Sequence, residues 1–207
     1  MKTGNPSITL IIGPKHSGKS QCSRLLGKIM DWEVVDMDDF IEKQTGKTPR
    51  TLFNEGPEIF RKAEVFALAA LIQPPEAPDG PNSERSGRII ATGGGLIDNP
   101  EALALLAESP APFRCRGAIC VYLDVSAETA WQRILDSAAG RELPPFLNTE
   151  NPKETHFTLH KRRSESYKAL AHLIISAENK TPNETAEEIA ERIKELKPGF
   201  IPVDMGG

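Results

Sequence analysis

Eight residues near the start of the chain, GPKHSGKS (Gly13 to Ser20), fit the pattern G-x-x-x-x-G-K-[ST] in full. Glycines at such positions let a strand turn sharply into a helix, so that successive backbone N–H groups curl around a phosphate at the positive helix end. The pattern predicts a nucleotide-phosphate loop built from Gly13, Pro14, Lys15, His16, Ser17, Gly18, Lys19 and Ser20 and running on to Gln21. Lys19 would reach the β- and γ-phosphates, and the Ser20 hydroxyl would face Mg²⁺. The motif does not set the side chains of Lys15 and His16, which are expected to be solvated.

Three further stretches carry chemistry. VVDMDDFIEK (Val34 to Lys43) crowds Asp36, Asp38 and Asp39 behind a short β-branched run. Acids that close repel, so the arrangement predicts a cation nearby; Asp39 is accounted for as a helix-start acid favoured by the helix dipole. FRKAE (Phe60 to Glu64) places Arg61 and Glu64 three apart on a helix, where they can pair. Two readings stay open there: a plain surface salt bridge, or a guanidinium held for a substrate carboxylate. IIATGGG (Ile89 to Gly95) ends in Gly93, Gly94 and Gly95. A tight turn needs one or two glycines, and a third suggests that something approaches the backbone closely. His156 and His160 are one helical turn apart without an evident third ligand, which favours a solvated helix face over a metal site. Cys22, Cys115 and Cys120 are an odd number with no C-x-x-C spacing, so neither a disulfide framework nor a zinc site is expected.

These groups need a scaffold. Short apolar runs at SITLII, EVV, RIIA, AICVYLDV and HLIIS alternate with helical stretches. That alternation predicts βαβ units and a three-layer α/β/α fold with a central five-stranded parallel sheet. Pro57 to Ile72 is read as a helix whose apolar face carries Ile59, Phe60, Ala63, Phe66, Ala67 and Ala70. Ser126 and Thr181 are read as helix starts, the latter with Glu184 completing a capping box. The loop Gln73 to Gly87, rich in proline, reads as an insertion of about residues 73–87. One domain over 1–207, with a core from about 7 to 197, is expected. The strand ends carrying the phosphate loop, the acids and the glycines should converge on one crevice. With 39% hydrophobic residues, 26% charged residues and a net charge of −4, the composition is that of a globular protein and argues against nucleic-acid binding. The apolar runs fall short of a membrane span, and MKTGNPS lacks an apolar leader. A cytoplasmic monomer without membrane or nucleic-acid partners is the expectation.

The stretches GPKHSGKS, DMDDFIEKQTGK, EGPEIFRKAE, ATGGG, VYLDVSAETAWQRI and RRSESY, in this order, resemble shikimate kinase over most of the chain. The resemblance implies a P-loop fold of the nucleoside-monophosphate-kinase type. It implies transfer of the γ-phosphoryl of ATP, with Mg²⁺, to the 3-hydroxyl of shikimate, a step towards aromatic amino acids. It lays roles on matching positions. Asp36 would hold the magnesium hydration shell, and Asp38 would grip the substrate hydroxyls and take the proton. Arg61 would bind the substrate carboxylate with Glu64 steadying it, and Arg163 would be the second carboxylate-binding arginine. Gly93, Gly94 and Gly95 would put backbone N–H groups near the substrate, and Arg133 would lie against the adenine. Arg141 would reach the phosphates from a lid at about 138–153, which here reads RELPPFL in place of the family's usual R-P-L-L. A kinase of another polyol acid such as gluconate, or a non-catalytic nucleotide-binding relative, are the competing readings. The latter predicts loss of Lys19, Asp38 or Arg61, and all three are present.

Overall fold

The computed structural model describes residues 8–73, 87–108, 118–138 and 142–196. Cys115, Arg141 and nearly all of the Gln73–Gly87 loop lie outside the described residues. Five strands, β1 (Ile8–Ile12), β2 (Glu33–Asp36), β3 (Arg88–Ala91), β4 (Ala118–Asp124) and β5 (Leu173–Ser176), form one sheet in the order β2-β3-β1-β4-β5. Every neighbouring pair is parallel. The helices are α1 (Lys19–Met30), α2 (Met37–Thr45), α3 (Pro49–Glu55), α4 (Pro57–Leu71), α5 (Pro100–Glu108), α6 (Ala127–Ala138), α7 (Pro152–Leu170) and α8 (Pro182–Glu195). The expected α/β/α architecture is thus present. The chain fills β2 and β3 on one side of β1 and then β4 and β5 on the other, which places the C-terminal ends of β1, β3 and β4 side by side at the switch point, the ligand position of open α/β sheets.

Alternation along the strands divides the core in two. Leu10, Ile12, Ile90, Cys120 and Tyr122 face a cluster with Met37, Leu68 and Tyr167. Ile11, Ile89, Val121 and Leu123 face the opposite cluster with Leu26, Ile189 and Ile193. Both faces are covered, so the strands read as continuous apolar runs. Cys22 and Cys120 are free and buried. Burial pushes both thiols up to about 12, which makes them packing residues and not nucleophiles. No helix among the described residues is long and apolar enough to cross a membrane.

The helix starts are built as the residue types suggest, with one difference. Thr181 and Glu184 form a reciprocal capping box on α8. At α6 the Ser126 hydroxyl accepts the Thr129 N–H at 3.1 Å. The answering carboxylate comes from Glu178, which accepts the Ser126 N–H at 2.8 Å. α3 was not anticipated. Its only buried residue is Leu52, so it has no apolar period to read, and only the Thr48 cap followed by Pro49 marks it.

Two expectations are corrected. The buried face of α4 is Glu64, Ala67, Leu68 and Leu71, while Ile59 and Phe66 are 41% and 62% exposed. The helix is rotated so that a carboxyl enters the interior, which a hydropathy pattern assigns to solvent. His156 is buried and not on a solvated face. Its Nε2 lies 2.9 Å from the Ala127 carbonyl oxygen, and its ring lies 5.5 Å from that of Trp131, because α7 packs against α6.

Gly27 shows how closely α1 sits on the sheet. A Cβ there would fall 2.1 Å from Val34 Cγ2 and 3.2 Å from the Trp32 carbonyl oxygen. Alanine would add at most about 1 kcal/mol of helix propensity, against about 1–3 kcal/mol for overpacking a stiff β-branched neighbour. Gly27→Ala is therefore expected to lower the urea unfolding free energy by about 1–2 kcal/mol; a more stable variant would contradict this packing.

Candidate active site

The phosphate loop leaves β1 at Gly13 (φ 148°) and enters α1 at Gly18 (φ 96°). Both angles lie in the region that favours glycine. Gly18 caps α1 without a side-chain hydrogen bond, so the first N–H groups of the helix face the loop interior. Lys19 is buried. Its ammonium donates to the carbonyls of Gly13 at 2.9 Å and Pro14 at 2.7 Å, closing the loop on its own lysine. Burial lowers its pKa to about 8, a fall that Asp38 and Asp36 partly oppose.

His16 is not solvated as expected. It has φ 63°, and its ring Nε2 lies 3.3 Å from the Ser137 hydroxyl on α6. Burial, with Lys15, Lys19 and Arg133 adding repulsion, lowers its pKa to about 4. Lys15 is exposed. Arg133 donates to the His16 carbonyl at 3.3 Å and to the Ala177 carbonyl at 3.5 Å. It thereby spans from the loop to the end of β5, on the side of the loop away from the glycine turn.

The crowded acids separate. Asp36 ends β2 and caps α2: Oδ1 accepts the Asp38 N–H at 3.0 Å, and Oδ2 accepts the Ser20 hydroxyl at 2.5 Å. Asp38 turns to the glycine run, where a Cβ on Gly93 would meet Asp38 Oδ1 at 3.3 Å and Glu64 Oε1 at 3.4 Å. Burial raises the Asp38 pKa, Asp36 adds to the rise, and Lys15 and Lys19 oppose it. Asp39 is exposed in the first turn of α2, as its dipole role requires. Among the described residues no group of three or more His, Cys, Asp or Glu could hold a metal ion.

Each glycine of the turn meets a different neighbour. Beyond Gly93, a Cβ on Gly94 would lie 2.9 Å from the Lys15 backbone nitrogen, and one on Gly95 would lie 3.7 Å from Arg163 Nη2. The Tyr167 hydroxyl donates to the Gly94 carbonyl at 2.5 Å, and its ring stacks on Tyr122 at 5.1 Å. Arg163 is held by Asp98, whose Oδ2 accepts from Nε at 2.9 Å and Nη2 at 2.7 Å. The Phe146 ring lies 5.7 Å from its guanidinium carbon. Arg163 faces the turn, and its neighbour Arg162 is 63% exposed.

The helical pairing open to Arg61 and Glu64 is not made. Arg61 is exposed, and no ion pair joins the two among the described residues. Glu64 is buried, with Oε2 accepting from Asn99 Nδ2 at 3.1 Å and Oε1 without a hydrogen-bond partner among the described residues. The same Asn99 amide donates to the Arg61 carbonyl at 2.9 Å. Sequence reading missed Asp98, Asn99, Phe146 and Tyr167 as parts of this region. The one available signal was Asn99 before Pro100, and it announces only a helix cap.

Together the groups offer the N–H groups of the loop after β1 and a buried lysine at the start of α1, a hydroxyl–carboxylate pair, and a carboxyl beside a bare backbone turn with an arginine at its far end. That set suits transfer of a phosphoryl group to an alcohol carried on an acid.

Three comparisons agree with this chemistry. The family model described as shikimate kinase matches residues 15–194. The chain is 30% identical over 190 residues to a shikimate kinase of Marinomonas sp. (strain MWYL1), covering 91% of this chain and 92% of that one. It is 31% identical over 191 residues to a shikimate kinase of Moorella thermoacetica, covering 91% and 95%. A solved shikimate kinase from Acinetobacter baumannii in complex with shikimate superposes with a TM-score of 0.73 at 29% identity, covering 93% of this chain and 96% of that one.

Glu64 makes a pH prediction. Burial, with Asp38 adding, raises its pKa to about 7 from 4.5, and the Asn99 hydrogen bond opposes the rise. The folded state then binds a proton that the unfolded state has lost, so this residue's contribution to stability falls as pH rises from 4.5 to 7 and is flat above. Relative to Glu64→Gln, the parent is expected to lose up to about 3 kcal/mol across that window in urea titrations. A constant difference would contradict a buried, poorly paired carboxyl.

Proposed function

Starting from the chain's membership of the shikimate kinase family, we propose that it transfers the γ-phosphoryl group of ATP to the 3-hydroxyl of shikimate. The products are shikimate 3-phosphate and ADP, in the route to chorismate and the aromatic amino acids. The observation that carries this reading is the glycine turn, with the Asp38 carboxyl against Gly93 and the Arg163 guanidinium against Gly95. A small ring bearing hydroxyls at one end and a carboxylate at the other fits between those two groups, over N–H groups left bare by three glycines.

The residues divide the work. The loop from Gly13 to Gln21 holds the phosphates, with Lys19 leaving its loop carbonyls for the β- and γ-phosphate oxygens. Arg133 lies against the adenine. Arg163 and Arg61 take the acceptor carboxylate, and Glu64 shapes the wall behind it. Asp38 accepts the proton of the 3-hydroxyl as its oxygen bonds to the γ-phosphorus. The bond from that phosphorus to the β–γ bridging oxygen breaks, and ADP leaves with the electron pair. A carboxyl whose pKa is raised by burial is the better proton acceptor. Arg141, in a lid over about 138–153, is assigned to the transferring phosphoryl group. Ser20 and Asp36, a hydroxyl and a carboxylate 2.5 Å apart, would hold Mg²⁺, the Ser20 hydroxyl facing the ion and Asp36 holding its hydration shell. When bound, Mg²⁺ neutralises charge on the phosphates. The reading is of a single-domain monomer in the cytoplasm, the compartment that ATP as donor and the free thiols of Cys22 and Cys120 favour.

With ATP and Mg²⁺, the purified protein is expected to release ADP on addition of shikimate and not of gluconate or other polyol acids. Absence of shikimate-dependent release would overturn the proposal. Asp38→Asn is expected to lower kcat by about 10²–10⁴-fold while ATP still binds; turnover near the parental rate would remove Asp38 from the proton transfer.

A further inference from the structure

Three N–H groups converge on one oxygen beside the glycine turn. Asp98 Oδ2 accepts from Arg163 Nε (2.9 Å), Arg163 Nη2 (2.7 Å) and Arg162 Nη2 (2.8 Å). Asp98 stands on the turn's own continuation, and its N–H donates to the Gly95 carbonyl at 2.9 Å. The two arginines differ in exposure. The Arg163 side chain is 13% exposed and Asp98 is 25% exposed, while Arg162 is 63% exposed on the solvent side. Among the described residues, Arg163 Nη1 and the second oxygen of Asp98 make no hydrogen bond.

Charge counting makes the third member necessary. Asp98 and Arg163 alone would form a neutral pair, and a guanidinium already neutralised by its own carboxylate attracts a second carboxylate weakly. With Arg162 on the same oxygen, two positive groups face one negative group, and one positive charge remains. The Nε and Nη2 contacts with Asp98 also fix the plane of the Arg163 guanidinium, which leaves both N–H groups of Nη1 and the second of Nη2 as donors.

We propose that Asp98 and Arg162 are positioning residues for acceptor binding: Asp98 orients Arg163 along the glycine turn, and Arg162 offsets the Asp98 charge so that Arg163 can bind a carboxylate. This rests on the reading of Arg163 as a carboxylate-binding residue. Arg162 acts without touching the acceptor, which distinguishes it from Arg163 and Arg61.

The test is a double-mutant cycle read in the shikimate KM, the ATP KM and kcat, using the full chain with ATP and Mg²⁺. Arg163→Ala comes first and is expected to raise the shikimate KM by about 100-fold or more with the ATP KM kept. Arg162→Ala is expected to raise the shikimate KM by about three- to tenfold, with kcat and the ATP KM within about twofold of the parent. In an Asp98→Asn background, where residue 98 carries no charge to offset, adding Arg162→Ala is expected to change the shikimate KM by less than about twofold. A parental KM for Arg162→Ala, or the same KM increase in both backgrounds, overturns the inference while an impaired Arg163→Ala still upholds the carboxylate reading. A parental KM for Arg163→Ala removes that reading and the inference together.

Discussion

The site depends on a backbone contact with no room for a methyl group, that of Gly94 against the Lys15 amide. It arises from sheet pairing. β1 and β3 are parallel neighbours in the register Ile11 to Ala91, so the loops that leave them start side by side. The Thr92 N–H and hydroxyl both donate to the Ile11 carbonyl at 3.1 Å, which ties the two loops at their base. Tyr167, stacked on Tyr122, then fastens the Gly94 carbonyl from the opposite side. The loop after β1 and the glycine turn after β3 are thus tied together, and phosphoryl transfer depends on such positioning more than on covalent chemistry.

Charge is arranged around that contact by separation. The chain is acidic overall, at −4, yet the proposed ligands are anions. Lys19 and Lys15 stand on the loop side and Arg163 at the far end of the turn, each positive group local to the anion it is proposed to meet. Asp38 and Glu64 face each other across Gly93 with raised pKa values. Two carboxyls that close resist ionising together, and the nearby cations decide how far each does. Asp36 gives its oxygens to Ser20 and the start of α2, and its charge adds to the rise at Asp38.

The architecture was legible because it is written in local signals: a glycine-rich loop after an apolar strand, β-branched runs, and helix starts at Ser126 and Thr181. The site was legible where its residues belong to a contiguous motif, as in Gly13 to Ser20, or stand at strand ends, as with Asp36 and Gly93. Family resemblance, and not spacing, assigned metal to Asp36 and substrate to Asp38. Illegible were the contacts made across the fold. Nothing local says that Asp98 meets Arg163 sixty-five positions on, or that Glu178 caps α6. The face of α4 misled because Glu64, a charged residue, is buried while Ile59 and Phe66 are left exposed. α3 carries a single buried residue and so no pattern.

The most direct test of this account is Gly94→Ala. The added methyl would stand 2.9 Å from the Lys15 nitrogen, and the loop and turn must part to admit it. The expected result is a fall in shikimate-dependent kcat of about 100-fold or more. Thermal unfolding should stay cooperative and fall by about 2–12 °C, the size of about 1–3 kcal/mol of overpacking in a chain of this length. A Gly94→Ala protein that turns over at the parental rate would contradict the claim that this contact aligns the two substrates.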